Sequence, residues 1–199
     1  MHIEIKNLEK KYNNHWIFRG LNFTLSPDNV YVIQGPNGSG KSTLLQCISQ
    51  IISPTSGQII YSDLHYALHT QLSFCAPYME LIEEMTISEL MQFHFKLRSA
   101  NIRNINNLWQ ESGLIHHQNK AIKKLSSGYK QRVKLALSIY TDSKLLALDE
   151  PCSNLDRQGI EWYISRHDII CKDRIVVIAS NTAHEYEHYK YIPLELNSK

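Results

Sequence analysis

The stretch Gly35-Pro36-Asn37-Gly38-Ser39-Gly40-Lys41-Ser42 fits G-x-x-x-x-G-K-[ST] without a gap. Each residue type there has a chemical use. Glycines let the backbone curl until successive N–H groups point at one anion. A helix that follows directs its positive end at the same place. Lys41 brings a point charge for the outer phosphates of a nucleotide, and Ser42 offers a hydroxyl to Mg²⁺. Asn37, Gly38, Ser39, Gly40, Lys41, Ser42 and Thr43 are therefore the candidate nucleotide contacts.

Further along, Leu145-Leu146-Ala147-Leu148-Asp149-Glu150 is an apolar run ending in two acids. Asp149 is placed to reach the Mg²⁺ shell, directly or through water. Glu150, one residue on, is placed to polarise an attacking water and is the candidate catalytic residue. Between loop and acids lies Leu125-Ser126-Ser127-Gly128-Tyr129-Lys130-Gln131-Arg132. A serine hydroxyl and glycine N–H groups at a helix start make another anion site.

With these three motifs in order, the chain resembles the ATP-binding cassette family over nearly its whole length. Ser126 and Gly128 keep the family's Leu-Ser-Gly-Gly-Gln signature, and Ser127 and Tyr129 depart from it. Ser153-Asn154-Leu155-Asp156 looks like the family's D-loop, and Tyr12 sits where the family stacks an aromatic ring on adenine. The resemblance implies ATP and Mg²⁺ as cofactors, with Ser42 and Asp149 holding the metal. It implies a head-to-tail homodimer or paired cassette in which Ser126, Ser127, Gly128 and Tyr129 cover the nucleotide of the second subunit. It also implies an integral membrane transporter subunit as partner, with the chain cytoplasmic and peripheral to the inner face of the cell membrane.

Two family residues are replaced. A glutamine that senses the metal and the membrane partner is expected before the helical region, and counting back from Thr86 puts Pro77 there, with Gln71 too early. A histidine that senses the γ-phosphate is expected after the last core strand. Asn181 stands there, and His184 is the other candidate. An amide can hydrogen-bond a phosphate but carries no charge.

The elements that must position these residues are legible in the hydrophobic pattern. Val30 to Ile33, Leu145 to Leu148 and Ile175 to Ala179 read as buried strands. Ile3 and Ile5 alternate with polar residues, as do the apolar residues between Phe18 and Leu25, and Gln58 to Tyr61 follows a Pro54–Gly57 break. Helices are expected over 42–52, from the Thr86-x-x-Glu89 capping box through Leu97, from Ser126 or Ser127 to Tyr140, and from Asp156 to about Ile170. Asn101 to Asn107 reads as a loop or weak helix, and Tyr191-Ile192-Pro193 as a final strand.

This pattern predicts an α/β fold, and the resemblance to the cassette family implies one of P-loop NTPase type. Its core sheet is mainly parallel and flanked by helices. The resemblance also implies an antiparallel β subdomain from the N-terminal part and a helical subdomain over about 78–135 inserted in a RecA-like core. One domain spans 1–199.

Composition narrows the function classes. A net charge of +2 without a basic run argues against nucleic acid. Cys47, Cys75, Cys152 and Cys171 form no C-x-x-C pair, so neither a zinc knuckle nor a redox dithiol is signalled. Cys152 reads as a small buried hydrophobe or as an oxidisable thiol near the dimer seam. His184-Glu185-Tyr186-Glu187-His188 matches H-E-x-x-H, but it lacks the scaffold of a zinc protease and reads as a terminal segment. No run approaches the ~18 apolar residues of a membrane span. The chain is expected to be an ATP-hydrolysing subunit driving a membrane partner. The alternatives are a soluble ATP switch that remodels protein or nucleic acid, and a weakly hydrolysing nucleotide sensor.

Overall fold

The computed structural model describes residues 1–63, 66–100 and 105–196. Two sheets organise the chain. The first is antiparallel, in the order β2-β1-β4, with β1 at His2–Tyr12, β2 at His15–Leu25 and β4 at Ser56–Ser62. The second has the order β5-β6-β7-β3-β8. Its strands are β3 (Val30–Gln34), β5 (Leu72–Cys75), β6 (Leu145–Asp149), β7 (Ile175–Ala179) and β8 (Tyr191–Glu195). Every pairing in it is parallel.

Every residue of β6 and β7 is buried, which is why their sequences are unbroken apolar runs. Alternate side chains feed the two faces. Val30 and Val32 join the core on the helical side, while Tyr31 and Ile33 join the core shared with β1, β2 and the first helix. β8 is a sheet edge and carries Pro193, a position where a missing N–H does no harm.

Helix α1 (Lys41–Ile48) follows the glycine loop. It is shorter than the expected 42–52. Gln50 turns to φ 56°, and the Ile51 and Gln50 N–H groups donate back to Gln46 and Cys47 carbonyls. This is a Schellman stop made without the glycine that would have announced it.

Helix α2 (Ile87–Leu97) opens on the expected capping box, with Thr86 and Glu89 exchanging hydrogen bonds. Helices α3 (Ile105–Ser112) and α4 (Ser127–Tyr140) follow before β6. Residues 101–104 of the asparagine-rich stretch lie outside the described residues, as does His65. The single helix expected from Asp156 is two, α5 (Arg157–Ile164) and α6 (His167–Cys171). Ser165 Oγ donates to the Trp162 carbonyl at 2.7 Å, so a hydroxyl competes for a carbonyl at the end of α5.

Arg174 fastens this side of the fold. It is 1% exposed and donates to carbonyls of Ile139, Ile169 and Ile170, the ends of α4 and α6. Burial lowers its pKa to about 10, which leaves it charged at neutral pH. Among the described residues, no helix is long and apolar enough to cross a membrane.

Candidate functional site

The glycine loop joins the end of β3 to α1, and its conformation depends on its glycines. Gly35, Gly38 and Gly40 all take positive φ. A Cβ on Gly40 would stand 2.4 Å from Ile17 Cγ2, so Ile17 and a bare backbone specify each other. Ile17, Asn37, Gly38, Gly40, Lys41, Ser42, Thr43 and Glu150 line one hollow. The sequence pattern marks all of these except Ile17, which belongs to a strand of the other sheet.

The polar groups of this hollow suit a polyphosphate. Lys41 is 6% exposed, and its ammonium donates to the loop's own Gly35 and Pro36 carbonyls at 2.8 and 3.0 Å. Anionic oxygens would be stronger acceptors for the same protons. Ser39 Oγ is buried inside the loop without a hydrogen-bond partner. Ser42 Oγ donates to Asp149 Oδ1 at 2.9 Å, bringing the end of β6 onto the start of α1. A hydroxyl and a carboxylate so placed are the hard oxygen donors that Mg²⁺ takes.

Burial raises the Asp149 pKa. The Ser42 hydrogen bond opposes this, and the neighbouring Glu150 charge adds to it. Glu150 holds φ 41°, an unusual conformation for a residue with a side chain. Its N–H donates to Ala179 at the end of β7, and its carbonyl accepts from Ser153. The strained turn is thus fixed from both sides.

Asn181 reaches the loop: its Nδ2 donates to Asn37 Oδ1 at 2.8 Å. His184, the other candidate for that position, is exposed, and it does not line the hollow. Gln71 is excluded from the metal region by register. It precedes Leu72, which pairs with Leu145 at the opposite end of β6 from Asp149, and its amide donates to the Tyr66 carbonyl. Pro77 contributes only its carbonyl, to Lys134 Nζ.

The next residue, Tyr78, brings a hydroxyl toward this region. Its hydroxyl accepts a 2.6 Å hydrogen bond from Gln46 Nε2 of α1 and interacts with the Asp149 carboxylate. The sequence pattern gave no signal for Tyr78, because an aromatic residue after a proline reads as an ordinary turn.

The second anion-site motif is also assembled. Ser126 is the N-cap of α4 and accepts from the Tyr129 N–H at 3.3 Å. Gly128 is required by contact, since a Cβ there would stand 2.7 Å from the Asn154 carbonyl oxygen. Gln131, 1% exposed, donates to the Pro151 carbonyl at 3.0 Å and ties α4 to the turn after Glu150. Ser126, Ser127, Gly128 and Tyr129 line a hollow with Asn154 and Asp156. That hollow shares no residue with the one at the glycine loop.

Tyr12 lies at the tip of the β1–β2 hairpin, 47% exposed, with Lys10 Nζ 4.9 Å above its ring. It does not line the glycine-loop hollow. Trp109 and Trp162 are buried in the core, and Trp16 is flanked by Lys11 and Arg19.

The chain is 29% identical to the lantibiotic transport ATP-binding protein SrtF of Streptococcus pyogenes, over 94% of this chain and 82% of that one. It is 30% identical to the cytochrome c biogenesis ATP-binding export protein CcmA of Reclinomonas americana, over 89% and 83%. A zinc import ATP-binding protein, ZnuC of Mannheimia succiniciproducens, is 32% identical over 81% of this chain and 59% of its own.

Among solved structures, an ATP-binding subunit of an ABC transporter superposes with a TM-score of 0.85 at 21% identity, covering 100% of this chain and 89% of that one. CbiO1 of Clostridium perfringens gives 0.70 at 24% identity, over 90% and 78%. These two likenesses bear on the fold. A family profile described as ABC transporter matches residues 18–153, from β2 through both acids. The chain therefore belongs to the ATP-binding family of ABC transporters.

Proposed function

We propose that this chain binds and hydrolyses ATP as a head-to-tail dimer and so drives an integral membrane subunit. The observation that carries the reading is the meeting of Ser42 and Asp149 beside Lys41 and Glu150 at the foot of α1.

In this reading the loop N–H groups and Lys41 hold the β- and γ-phosphates. Lys41 exchanges its two loop carbonyls for phosphate oxygens. Ser42 and Asp149 hold Mg²⁺, which when bound supplies charge neutralisation at the outer phosphates. Glu150 orients and deprotonates the water that attacks the γ-phosphorus. The Asn181 amide turns from Asn37 Oδ1 to a γ-phosphate oxygen. Tyr12 stacks on the adenine.

The two separate hollows support a dimer. In one chain, the Ser126 end of α4 and the glycine loop share no lining residue. A second copy turned head to tail would bring its Ser126, Ser127, Gly128 and Tyr129 to cover the nucleotide. The N-terminus of this 14-residue helix presents N–H groups to the γ-phosphate.

A membrane partner is supported by a groove of about 370 Å³ between β5 and the helical region, lined in part by Phe74, Met79, Leu81, Ile82 and Leu90. Tyr78, Met79, Ile82, Phe93 and Leu97 are exposed apolar residues around this region. We read it as the dock for a short helix of that partner, with the chain peripheral to the inner face of the membrane. By name, the relatives serve different cargoes in both directions, which agrees with cargo choice residing in the membrane subunit.

Phosphate release from Mg-ATP by the purified chain tests the reading. Glu150→Gln should retain nucleotide and lose turnover, and Lys41→Ala should lose both. A neutral Asn181 and a side chain without donors at Pro77 also favour a second reading, a sensor that binds ATP and barely hydrolyses it. Equal, near-zero turnover by the wild type and Glu150→Gln would select that second reading.

A further inference from the structure

Cys152 and the pair His184-Glu185 are far apart in sequence, and their ligand atoms come together. Cys152 Sγ, a His184 ring nitrogen and a Glu185 carboxylate oxygen all lie within 4.8 Å of one another. Cys152 is 6% exposed and Glu185 is 3% exposed, while His184 is exposed. The three come from the turn after Glu150 and from a single 3₁₀ turn, Ala183–Glu185, after β7.

Glu185 makes this more than an accidental cluster. Its Oε1 accepts the Cys152 backbone N–H at 2.8 Å, which fixes the carboxylate against the cysteine. Its Oε2 is buried and makes no hydrogen bond of ordinary geometry, with the Ser180 hydroxyl and the His184 ring also acting on the carboxylate. A buried carboxylate oxygen without a donor is costly unless something positive meets it.

His188, the second histidine of the H-E-x-x-H string, is not part of the group. Its ring packs against Tyr163 and Tyr189 instead. The string is therefore not a zinc-protease site, and its first two residues find a different third donor.

We infer that Cys152, His184 and Glu185 form a binding site for one thiophilic divalent cation, with Zn²⁺ the best match. Sulfur, imidazole nitrogen and carboxylate oxygen are the donors Zn²⁺ prefers, and three protein donors leave a fourth tetrahedral position for water. Bonds of about 2.0–2.3 Å place tetrahedral donors roughly 3.3–3.8 Å apart, so the donors need to close by no more than roughly 1.5 Å. The exposed His184 side chain can make that movement, and it gives the ion its way in. On binding, the Cys152 thiol releases its proton to solvent and the thiolate takes the metal bond. The bound ion would tie the turn after Glu150 to the segment that carries Asn181, and so restrain both.

The test is titration of the purified, reduced full chain with Co²⁺, followed by absorbance, with Zn²⁺ competition. The wild type should take up one Co²⁺ with a thiolate-to-metal charge-transfer band, and Zn²⁺ should abolish the band. Cys152→Ser should lose the band. His184→Ala, a change at an exposed side chain, should weaken binding by about tenfold or more. His188→Ala and Cys171→Ser should bind as the wild type does. A wild type without the band, a band that survives Cys152→Ser, or unchanged affinity in His184→Ala would each overturn the site.

Discussion

The Asn181 side-chain amide donates a 2.8 Å hydrogen bond to Asn37 Oδ1, joining the end of β7 to the glycine loop. The same amide is therefore within reach of whatever phosphate the loop holds. Removing a donor aimed at developing charge can cost about 100-fold in turnover. Asn181→Ala should lower kcat by about that factor, with ATP affinity little changed. Steady-state kinetics with a nucleotide-binding titration checks it, and a loss confined to affinity would contradict it.

Tyr78 is the residue through which the segment after β5 interacts with Asp149, the proposed Mg²⁺ ligand. Tyr78→Phe keeps the ring and removes the hydroxyl shared with Gln46 and Asp149. One hydrogen bond contributes about 1 kcal/mol, or about fivefold in an equilibrium. The Mg²⁺ concentration for half-maximal activity should rise by about that factor. Tyr78→Gln, which restores a polar group, should recover part of it.

Gly128 packs against the Asn154 carbonyl. Gly128→Ala forces a Cβ into that oxygen, and overpacking costs about 1–3 kcal/mol. The better helix propensity of alanine returns up to about 1 kcal/mol. The melting temperature should fall, and an unchanged or raised value would mean that the turn after Glu150 moves aside freely.

These sites divide by how they were legible. The glycine loop, Asp149 and Glu150 were readable because their chemistry demands fixed residue types at fixed spacing. The parallel core was readable because strands buried on both faces must be continuously apolar, as Leu145 to Leu148 and Ile175 to Ala179 are. Tyr78, Ile17 and Gln131 were not readable. Each acts through a contact across the fold, with Asp149, Gly40 and Pro151 respectively, and no local pattern records such a contact. The stop of α1 at Ile48 was hidden because Gln50 adopts a conformation that usually advertises itself with glycine. The break between α5 and α6 depends on Ser165, whose hydroxyl can equally well sit on an unbroken helix.

Asp149 gives the pH dependence a definite sign. Burial foremost, and Glu150 in addition, raise its pKa in the folded chain. The folded state then holds the proton more tightly than the unfolded one. The charged form is therefore a cost in the nucleotide-free protein at neutral pH, and it vanishes below the unfolded-state pKa of about 3.9. Asp149→Asn should raise the melting temperature of the nucleotide-free chain at pH 7. A gain of about 1 kcal/mol would raise it by about 2–4 °C. The difference from wild type should shrink as the pH falls toward about 4. Calorimetry across that range checks it, and a difference that grows on acidification would contradict the sign.

The most direct test is sedimentation velocity of Glu150→Gln with saturating Mg-ATP. The account predicts a dimer that returns to monomer when ATP is withdrawn or when Ser126 is replaced by arginine. A chain that stays monomeric with nucleotide demonstrably bound would contradict it.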